Sequence, residues 1–547
     1  MVLFLFPCYT CPRDEITKRR RKMKKHSFKT TLSNCIPCLC YGTLCGILTG
    51  AVIFLFKLFA KYAEELSRFL YGTAKNSPLL ICLGFLILAL LAVILSVLHK
   101  KIPECKGGGI PRSEGILRGI LPFHWAKTLL GTFFGSLISF FAGLPVGSEG
   151  PAVLIGTSIG KMSLLPFKDR TAWNRYVMTG GAGAGFAVAT GAPLSGILFA
   201  LEEIHKRISP ILVMTVVSTV LSATFSNRLL CNMFHISPAL FEISVLPSFE
   251  LKQFGYLILL GILIAVAVGL FDGSVWLYHR FTSRIKRKGV VPFKLLIVFL
   301  LTGILGFFFA DACYSGHHLI LHILEGHMGI VLLLTLFVIR LLMMLFITDS
   351  GATGGIFIPT LAIGALVSAL IAKLLIFFGM SSEFSTAIIL LGMCAFIGGT
   401  LRAPLTASVL FLELTGQFTN LFFVVLVVWI VSWLTELFHL TAFYDTALEE
   451  MTERYHHGKE PSVANFSLVV SKDSFVVEKA VRDIMWPHAS VIVSISHADS
   501  TEIFMDDGEQ RLHVGDRVVL RARFYEKDRI LSLLRSLFGT EYEIEME

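Results

Sequence analysis

Two short Gly-rich stretches, Gly147-Ser148-Glu149-Gly150-Pro151 and Gly355-Ile356-Phe357-Ile358-Pro359, decide how this chain folds. Each ends on a proline followed by an apolar run. That is a helix opening, because the amide that proline lacks has no helical partner at the first position. A second proline-led opening follows each of them. Ala192-Pro193-Leu194-Ser195-Gly196-Ile197-Leu198-Phe199-Ala200-Leu201-Glu202 resembles Ala403-Pro404-Leu405-Thr406-Ala407-Ser408-Val409-Leu410-Phe411-Leu412-Glu413 at an offset of 211 residues. Pro151 precedes Pro193 by 42 residues and Pro359 precedes Pro404 by 45. An Ala-Pro-Leu opening is common on its own, but two openings at matched spacing predict an internal duplication. Interrupted segments at corresponding places in two halves point to the binding site of a transporter.

The rest of the chain says what is duplicated. Of 547 residues, 54% are apolar and 16% charged, and the mean hydropathy is +0.72. Soluble proteins carry about 25% charged residues. The deficit excludes an ordinary soluble enzyme, a disordered chain and a fibrous protein. It predicts an all-α polytopic membrane protein with on the order of ten spans between residues 35 and 445. Runs of spanning length are Cys35–Ala60, Pro78–Leu98, Thr128–Leu144, Ile211–Leu230, Phe254–Leu277, Leu295–Ala310, Met328–Thr348 and Phe418–Leu440. Shorter pieces broken by Gly and Pro, namely Pro151–Leu165, Thr179–Leu201, Phe357–Met380 and Leu390–Leu414, read as half-helices lining a cavity.

The two ends differ in charge. Between Arg13 and Lys29 stand nine Lys and Arg against two acidic residues. This basic arm, residues 1–34, reads as cytoplasmic and attractive to anionic lipid. It lacks the aromatic interleaving of a nucleic-acid partner. After Pro461 the balance reverses to ten basic and fifteen acidic residues. There the patterning predicts a small soluble α+β domain, with strands at Phe466–Val470, Ser490–Ser496, Glu502–Met505 and Arg517–Phe524. Helices are expected at Val477–Met485 and Glu526–Phe538. The expected divisions are thus 1–34, a membrane domain 35–450 with halves at about 35–250 and 251–450, a linker 451–465 and a tail domain 466–547. The Cys8-x-x-Cys11 pair lacks a second pair or histidine partners, and Cys35, Cys38, Cys40 and Cys45 read as small apolar fillers. No metal or cofactor is expected. The order of apolar and basic segments is the reverse of a cleavable signal.

The Gly-rich elements carry the chemistry. Free amides of a first helical turn have no internal partners, and several turns aimed at one point make an anion site backed by positive dipole ends. One such end contributes about 0.3–1 kcal/mol, up to roughly 2 when partly buried. A third stretch, Gly107-Gly108-Gly109-Ile110-Pro111, belongs with them; nearby Lys100, Lys101 and Lys106 suggest the cytoplasmic side.

These three ordered motifs, with Tyr444 in Ala442-Phe443-Tyr444-Asp445, resemble the CLC family of chloride channels and chloride/proton exchangers over roughly residues 35–450. The resemblance implies a homodimer in which each subunit has its own anion pathway, built from two inverted halves with broken helices. It implies an anion site formed by Gly108, Gly109, Ile110, Ser148, Gly150, Ile356, Phe357 and Tyr444. The amides of Ile356 and Phe357 and the phenol of Tyr444 would be its central donors. Two departures stand out. The family serine of the first motif is Gly108 here, which removes a hydroxyl donor. The family Arg or Lys of the second motif is Ser148.

By the same resemblance Glu149 is the gating glutamate, which competes with the anion when ionised and carries a proton when neutral. Glu203 matches the internal proton-transfer glutamate of the exchangers, and Glu413, the counterpart of Glu202, is assigned no transport role. The expected activity is chloride/proton exchange in a prokaryotic plasma membrane, both termini cytoplasmic. A passive chloride channel, a fluoride exporter and, from the tail alone, a cation transporter are the alternatives; no motif of an enzyme is present. The stretch from Ser467 through Arg482-Asp483-Ile484 to Leu512-His513-Val514-Gly515-Asp516-Arg517-Val518-Val519 resembles the TrkA-C (RCK-C) domain of potassium-uptake regulators. That resemblance implies a regulatory module with a small-molecule ligand such as a cyclic dinucleotide, or a dimerisation module that binds nothing.

Overall fold

The computed structural model describes residues 13–546 apart from 239, 242, 244, 283–289, 498–501, 504–507 and 540–541. At 13–34, 168–170, 290–292, 502–503 and 542–546 it describes backbone alone. Cys8 and Cys11 lie outside the described residues. The first half comprises α1 (Arg13–Ala74), α2 (Pro78–Lys101), α3 (Ile110–Leu117), α4 (Trp125–Phe141), α5 (Glu149–Ser163), α6 (Asn174–Thr190), α7 (Pro193–Phe199) and α8 (Pro210–Met233). The second repeats the order with α9 (Phe254–Thr282), α10 (Val290–Phe308), α11 (His317–Leu324), α12 (Ile330–Ser350), α13 (Phe357–Phe377), α14 (Ser385–Leu401), α15 (Pro404–Thr415) and α16 (Leu421–Leu437). The correspondence extends to length: α3 and α11 have eight residues each, α6 and α14 seventeen. A closing helix, α17 (Phe443–His456), leads to the tail.

Among the described residues seven helices are long and apolar enough to cross a membrane, and Phe293–Phe308, Pro404–Thr415 and Leu421–Leu437 are shorter apolar helices. Two of the pieces expected to be broken by Gly and Pro are each divided into two helices. Thr179–Leu201 divides into α6 and α7, and Leu390–Leu414 into α14 and α15. Pro193 and Pro404 cannot continue a helix, and each preceding helix ends on a left-handed residue, Gly191 (φ 72) and Arg402 (φ 60). The cap is the same in both halves. Ala192 N–H reaches the Ala187 carbonyl at 3.1 Å, and Ala403 N–H the Gly398 carbonyl at 3.1 Å.

Burial sorts the helices. Every residue of α14 but the first two is buried, and α5 and α6 are nearly as enclosed, so this layer holds the core. The α2 helix leaves most of its apolar surface outward, as a lipid-facing helix does. A stripe of Gly42, Gly46 and Gly50 seats α1 against the backbone of α8 at Thr215, Thr219 and Ala223. Small residues permit that approach where no hydrophobic force drives helices together.

The tail is a five-stranded antiparallel sheet of order β3-β2-β4-β1-β5, with β1 Ser462–Val469, β2 Ser490–Ser496, β3 Glu502–Ile503, β4 Arg517–Phe524 and β5 Tyr542–Met546. Helix α18 (Lys527–Phe538) covers it, burying Ile530, Leu534, Leu537 and Phe538 with Phe466, Leu468, Val518 and Leu520. The Gly515-Asp516 turn forms as expected: Gly515 has φ +93, and Asp516 Oδ2 accepts the His513 amide at 2.8 Å. The helix expected at Val477–Met485 is absent. Only a short 3-10 turn, Val481–Asp483, is present. The amides of Glu478, Val481 and Arg482 donate instead to the carbonyls of Leu512, Gln510 and Gly508. Cross-chain pairing thus displaces the local ladder that helical periodicity alone suggests. With α17 ending at His456 and β1 starting at Ser462, the connection is five residues, shorter than the expected 451–465.

The tail is docked on the membrane part. Tyr176 donates its hydroxyl to the Asp483 carbonyl at 2.5 Å and accepts the Met485 amide at 3.0 Å. Arg175 donates to the carbonyls of Met485 (2.9 Å) and Trp486 (3.0 Å), and Arg529 to those of Gly119 (3.3 Å) and Ile120 (2.8 Å).

Candidate functional site

The three Gly-rich stretches converge. Gly147 and Gly355 exchange backbone hydrogen bonds, N to O at 2.6 and 2.7 Å, as an isolated antiparallel bridge between the halves. Gly107 N–H donates to the Gly351 carbonyl at 3.1 Å and joins the first motif to the approach to the third. Gly150 lies where a Cβ would collide with the Gly108 carbonyl and stand 2.8 Å from Gly355 Cα. Gly109, at φ +75, would press a Cβ into the Gly150 carbonyl. Three helix starts, those of α3, α5 and α13, therefore open within one small volume. Positive dipole ends gather there.

Glu149 is fully buried at the first turn of α5. Ser148 Oγ donates to its Oε1 at 3.0 Å, while Oε2 has no hydrogen-bond partner among the described residues. That free oxygen lies against Gly147, facing the side of Ile358 and Pro359 at the start of α13. A carboxylate thus stands in the place built for an anion. Ile356 and Phe357 open α13 and are 5% and 2% exposed. Phe357 meets Phe186 edge-on at 4.9 Å, and Phe186 stacks on Phe199 at 4.2 Å, which walls the volume with apolar surface. The Ile110 amide is turned back on the Gly108 carbonyl at 2.9 Å, so of the first motif's expected donors this one is engaged. Gly108 has open space: a Cβ there would meet only the Gly354 carbonyl, at 3.8 Å.

Tyr444, at the start of α17, is fully buried, and its hydroxyl has no hydrogen-bond partner among the described residues. Burial removes the reading of an interfacial anchor that its place after the last span would allow. The carboxylates of Glu203 and Glu149 both act on it electrostatically. Glu203 is 1% exposed on a π-helical turn, Ala200–His205, and its buried Oε1 has no hydrogen-bond partner among the described residues. Such turns often occur at functional sites.

Sequence reasoning missed two neighbours, Glu114 and Lys57. Glu114 is buried on α3 and pairs with Arg118 and, at 3.4 Å, with Lys206. Lys206 also lies 2.7 Å from Asp445. The signal was the carboxylate three residues beyond Pro111 with an arginine four further on. Lys57 donates to the Val188 carbonyl at 3.0 Å and acts electrostatically on Glu149. A lysine inside the first apolar run was its signal. Glu413, named from the sequence as the counterpart of Glu202 and assigned no transport role, has a structural one. Its carboxylate accepts the amides of Leu194 and Ser195 (both 2.7 Å) and the Ser195 hydroxyl (2.6 Å). Glu202 does the same in reverse for Leu405 N–H (3.0 Å), Thr406 N–H (2.8 Å) and the Thr406 hydroxyl (2.7 Å). Glu202 is thereby a cap for the other half's helix, and Glu203 alone faces the interior.

On the side of the tail, a cavity of about 260 Å³ reaches Gly107, Gly108 and Ile356, with Lys106, Arg112 and Arg454 in its wall.

The comparisons bear on the whole arrangement. The family model described as voltage gated chloride channel matches residues 91–436. Among solved structures, the chain is similar to a slow cyanobacterial Cl-/H+ antiporter, with 27% identity and a TM-score of 0.71 over 76% of this chain and 98% of that one. A eukaryotic CLC transporter shares the fold at 21% identity and TM-score 0.64, over 76% and 74% of the two chains. So does a CLC-type fluoride/proton antiporter at 18% and 0.55, over 73% and 95%. The family model spans more than half of the sequence, and the protein belongs to the CLC family of voltage-gated chloride channels and related transporters.

Proposed function

We propose that the protein is a chloride/proton antiporter of the prokaryotic plasma membrane, multi-pass, homodimeric, with both termini in the cytoplasm. The observation that carries this reading is the pair of buried glutamates, each with a carboxylate oxygen that has no hydrogen-bond partner among the described residues, together with the buried and likewise unpartnered phenol of Tyr444. Glu149 serves as gate and outer proton carrier, and Glu203 as the inner proton carrier. The anion is held by the amides of Ile356 and Phe357 and the Tyr444 hydroxyl, with Gly108, Gly109, Ser148 and Gly150 shaping the surrounding backbone. A channel needs no second buried carboxylate on the tail side, whereas an exchanger needs one to bring protons to the first. The similarity to a structure described as a Cl-/H+ antiporter supports the same choice. The intact Gly109-Ile110-Pro111 ending favours chloride over fluoride. The tail is read as a TrkA-C-like regulatory module that takes a small ligand, such as a cyclic dinucleotide.

The test is paired ion flux from purified protein in liposomes under a chloride gradient. Protons driven against their own gradient are expected. Chloride movement without protons would make this a channel, and no chloride movement at all would reopen the fluoride reading. A second expectation concerns Gly108. The space beside it admits a serine Cβ without a clash, so Gly108→Ser should fold, add a hydroxyl donor and raise chloride uptake relative to nitrate. An unchanged chloride-to-nitrate ratio would sink that assignment.

A further inference from the structure

The largest cavity among those described is not the one that reaches the anion motifs. It holds about 620 Å³ and lies between the tail and the membrane part. The two cavities flank α17. Asp445, Glu449 and Glu453 face the large one, while Glu450 and Arg454 face the smaller, as the helical repeat requires.

Their charges differ. The smaller cavity has three cations, Lys106, Arg112 and Arg454, against Glu450, a balance that draws anions. The large chamber has four cations, Arg118, Lys206, Arg523 and Arg529. Against them stand four carboxylates, Asp445, Glu449, Glu453 and Glu526. It offers no net attraction to chloride, yet it is rich in groups that exchange protons. Its inner wall continues toward Glu203. Lys206 bridges Asp445 and Glu114, Arg118 pairs with Glu114, and Glu203 lies in the field of Lys206, Glu114 and Asp445. Its outer wall is the tail: Pro487, His488 and the segment Arg523–Glu526. His456, at the end of α17, stacks on Tyr525 at 3.9 Å and points Nε2 at the Ile120 carbonyl at 3.3 Å, closing one corner.

We propose that the chamber is the cytoplasmic proton antechamber of this protein and that the tail domain is its roof, leaving the anion mouth on the other face of α17 uncovered. This rests on the antiporter reading above. The tail then governs how fast protons reach Glu203, and chloride access is independent of it.

The test uses the full chain in liposomes and two perturbations outside the transport site. Tyr176→Phe combined with Arg529→Met removes a hydroxyl and one of the two guanidinium groups that hold the roof, leaving the Arg175 bonds. Proton flux driven by chloride should rise several-fold, and anion flux in the uncoupled Glu149→Ala background should stay unchanged. The second arm does not depend on undocking. His488→Cys places a thiol in the chamber wall, where the native side chain is exposed to the cavity. A bulky thiol reagent, with the parent chain as control for its own cysteines, should slow proton flux and spare anion flux in the Glu149→Ala background. Equal changes in both fluxes, or unaltered proton flux in both arms, would overturn the proposal while the antiporter reading stands. If the unmodified protein moves chloride without protons, the antiporter reading fails, and this inference with it.

Discussion

Full-length protein carrying Glu203→Ala should move chloride but no longer pump protons. A positioned proton-transfer group contributes about 10²- to 10⁴-fold to the step it serves, so proton flux should fall to the background of empty liposomes. The reason is positional. Glu203 is 1% exposed, and its Oε1 has no partner. Glu203 does not line the cavity that reaches Gly108 and Ile356, so the proposed anion path does not include it. Glu149→Ala should also abolish proton coupling, by a different route. Removing that carboxylate vacates the volume between the first turns of α5 and α13, so anion flux should persist and lose its pH dependence. Glu149→Gln, which keeps the shape of the protonated acid, should behave likewise. Paired chloride and proton traces across the range in which a glutamate titrates would decide it. Proton pumping that survives Glu203→Ala would remove Glu203 from the pathway and direct attention to Glu114, the other buried carboxylate beside Lys206.

The second large effect is on stability and spares coupling. Glu413→Gln and Glu202→Gln should each lower the thermal unfolding temperature in detergent markedly. Each carboxylate accepts two amides and a hydroxyl at the start of a helix in the other half. A hydrogen bond to a charged group contributes about 1.5–3 kcal/mol. A glutamine turns its NH₂ toward a donor and loses at least one such bond, so a cost of about 2–3 kcal/mol per site is expected. The two caps lie side by side where α7 meets α15, and the double variant should cost less than the sum of the singles if they share one interface. The proton-to-chloride ratio should not move. A Glu202→Gln variant with normal stability and lost coupling would make Glu202 a proton carrier and this account of it wrong.

Much of this architecture was legible because its causes are local. Hydropathy marks a span wherever water is replaced by lipid. Proline stops or opens a helix by its own missing amide, so Pro151, Pro193, Pro359 and Pro404 declared their helix starts and the duplication at once. Strands β2 and β4 of the tail announced themselves by alternation, and the Gly515-Asp516 turn by its chemistry. Local patterning failed where a distant partner intervened. Val477–Met485 has helical spacing, but the 508–512 segment takes its amides. The breaks at Gly191 and Arg402, by contrast, are marked in the sequence by the prolines that follow them, Pro193 and Pro404.

The site shows the same division. The sequence alone determined that the chain is a duplicated, polytopic membrane protein with three Gly-rich helix openings and Glu149 within one of them. Those are statements about neighbours along the chain. Only the tertiary structure decided that the three openings meet, that Tyr444 is interior, and that Glu202 and Glu203, adjacent in sequence, do different things. Glu202 is recruited by amides some two hundred residues away, across an interface between the halves, while Glu203 turns inward and keeps a carboxylate oxygen unpaired. The partition of α17 into an anion-facing and a proton-facing side, and the tail's place over one of them, also depend on contacts between segments that no local pattern encodes.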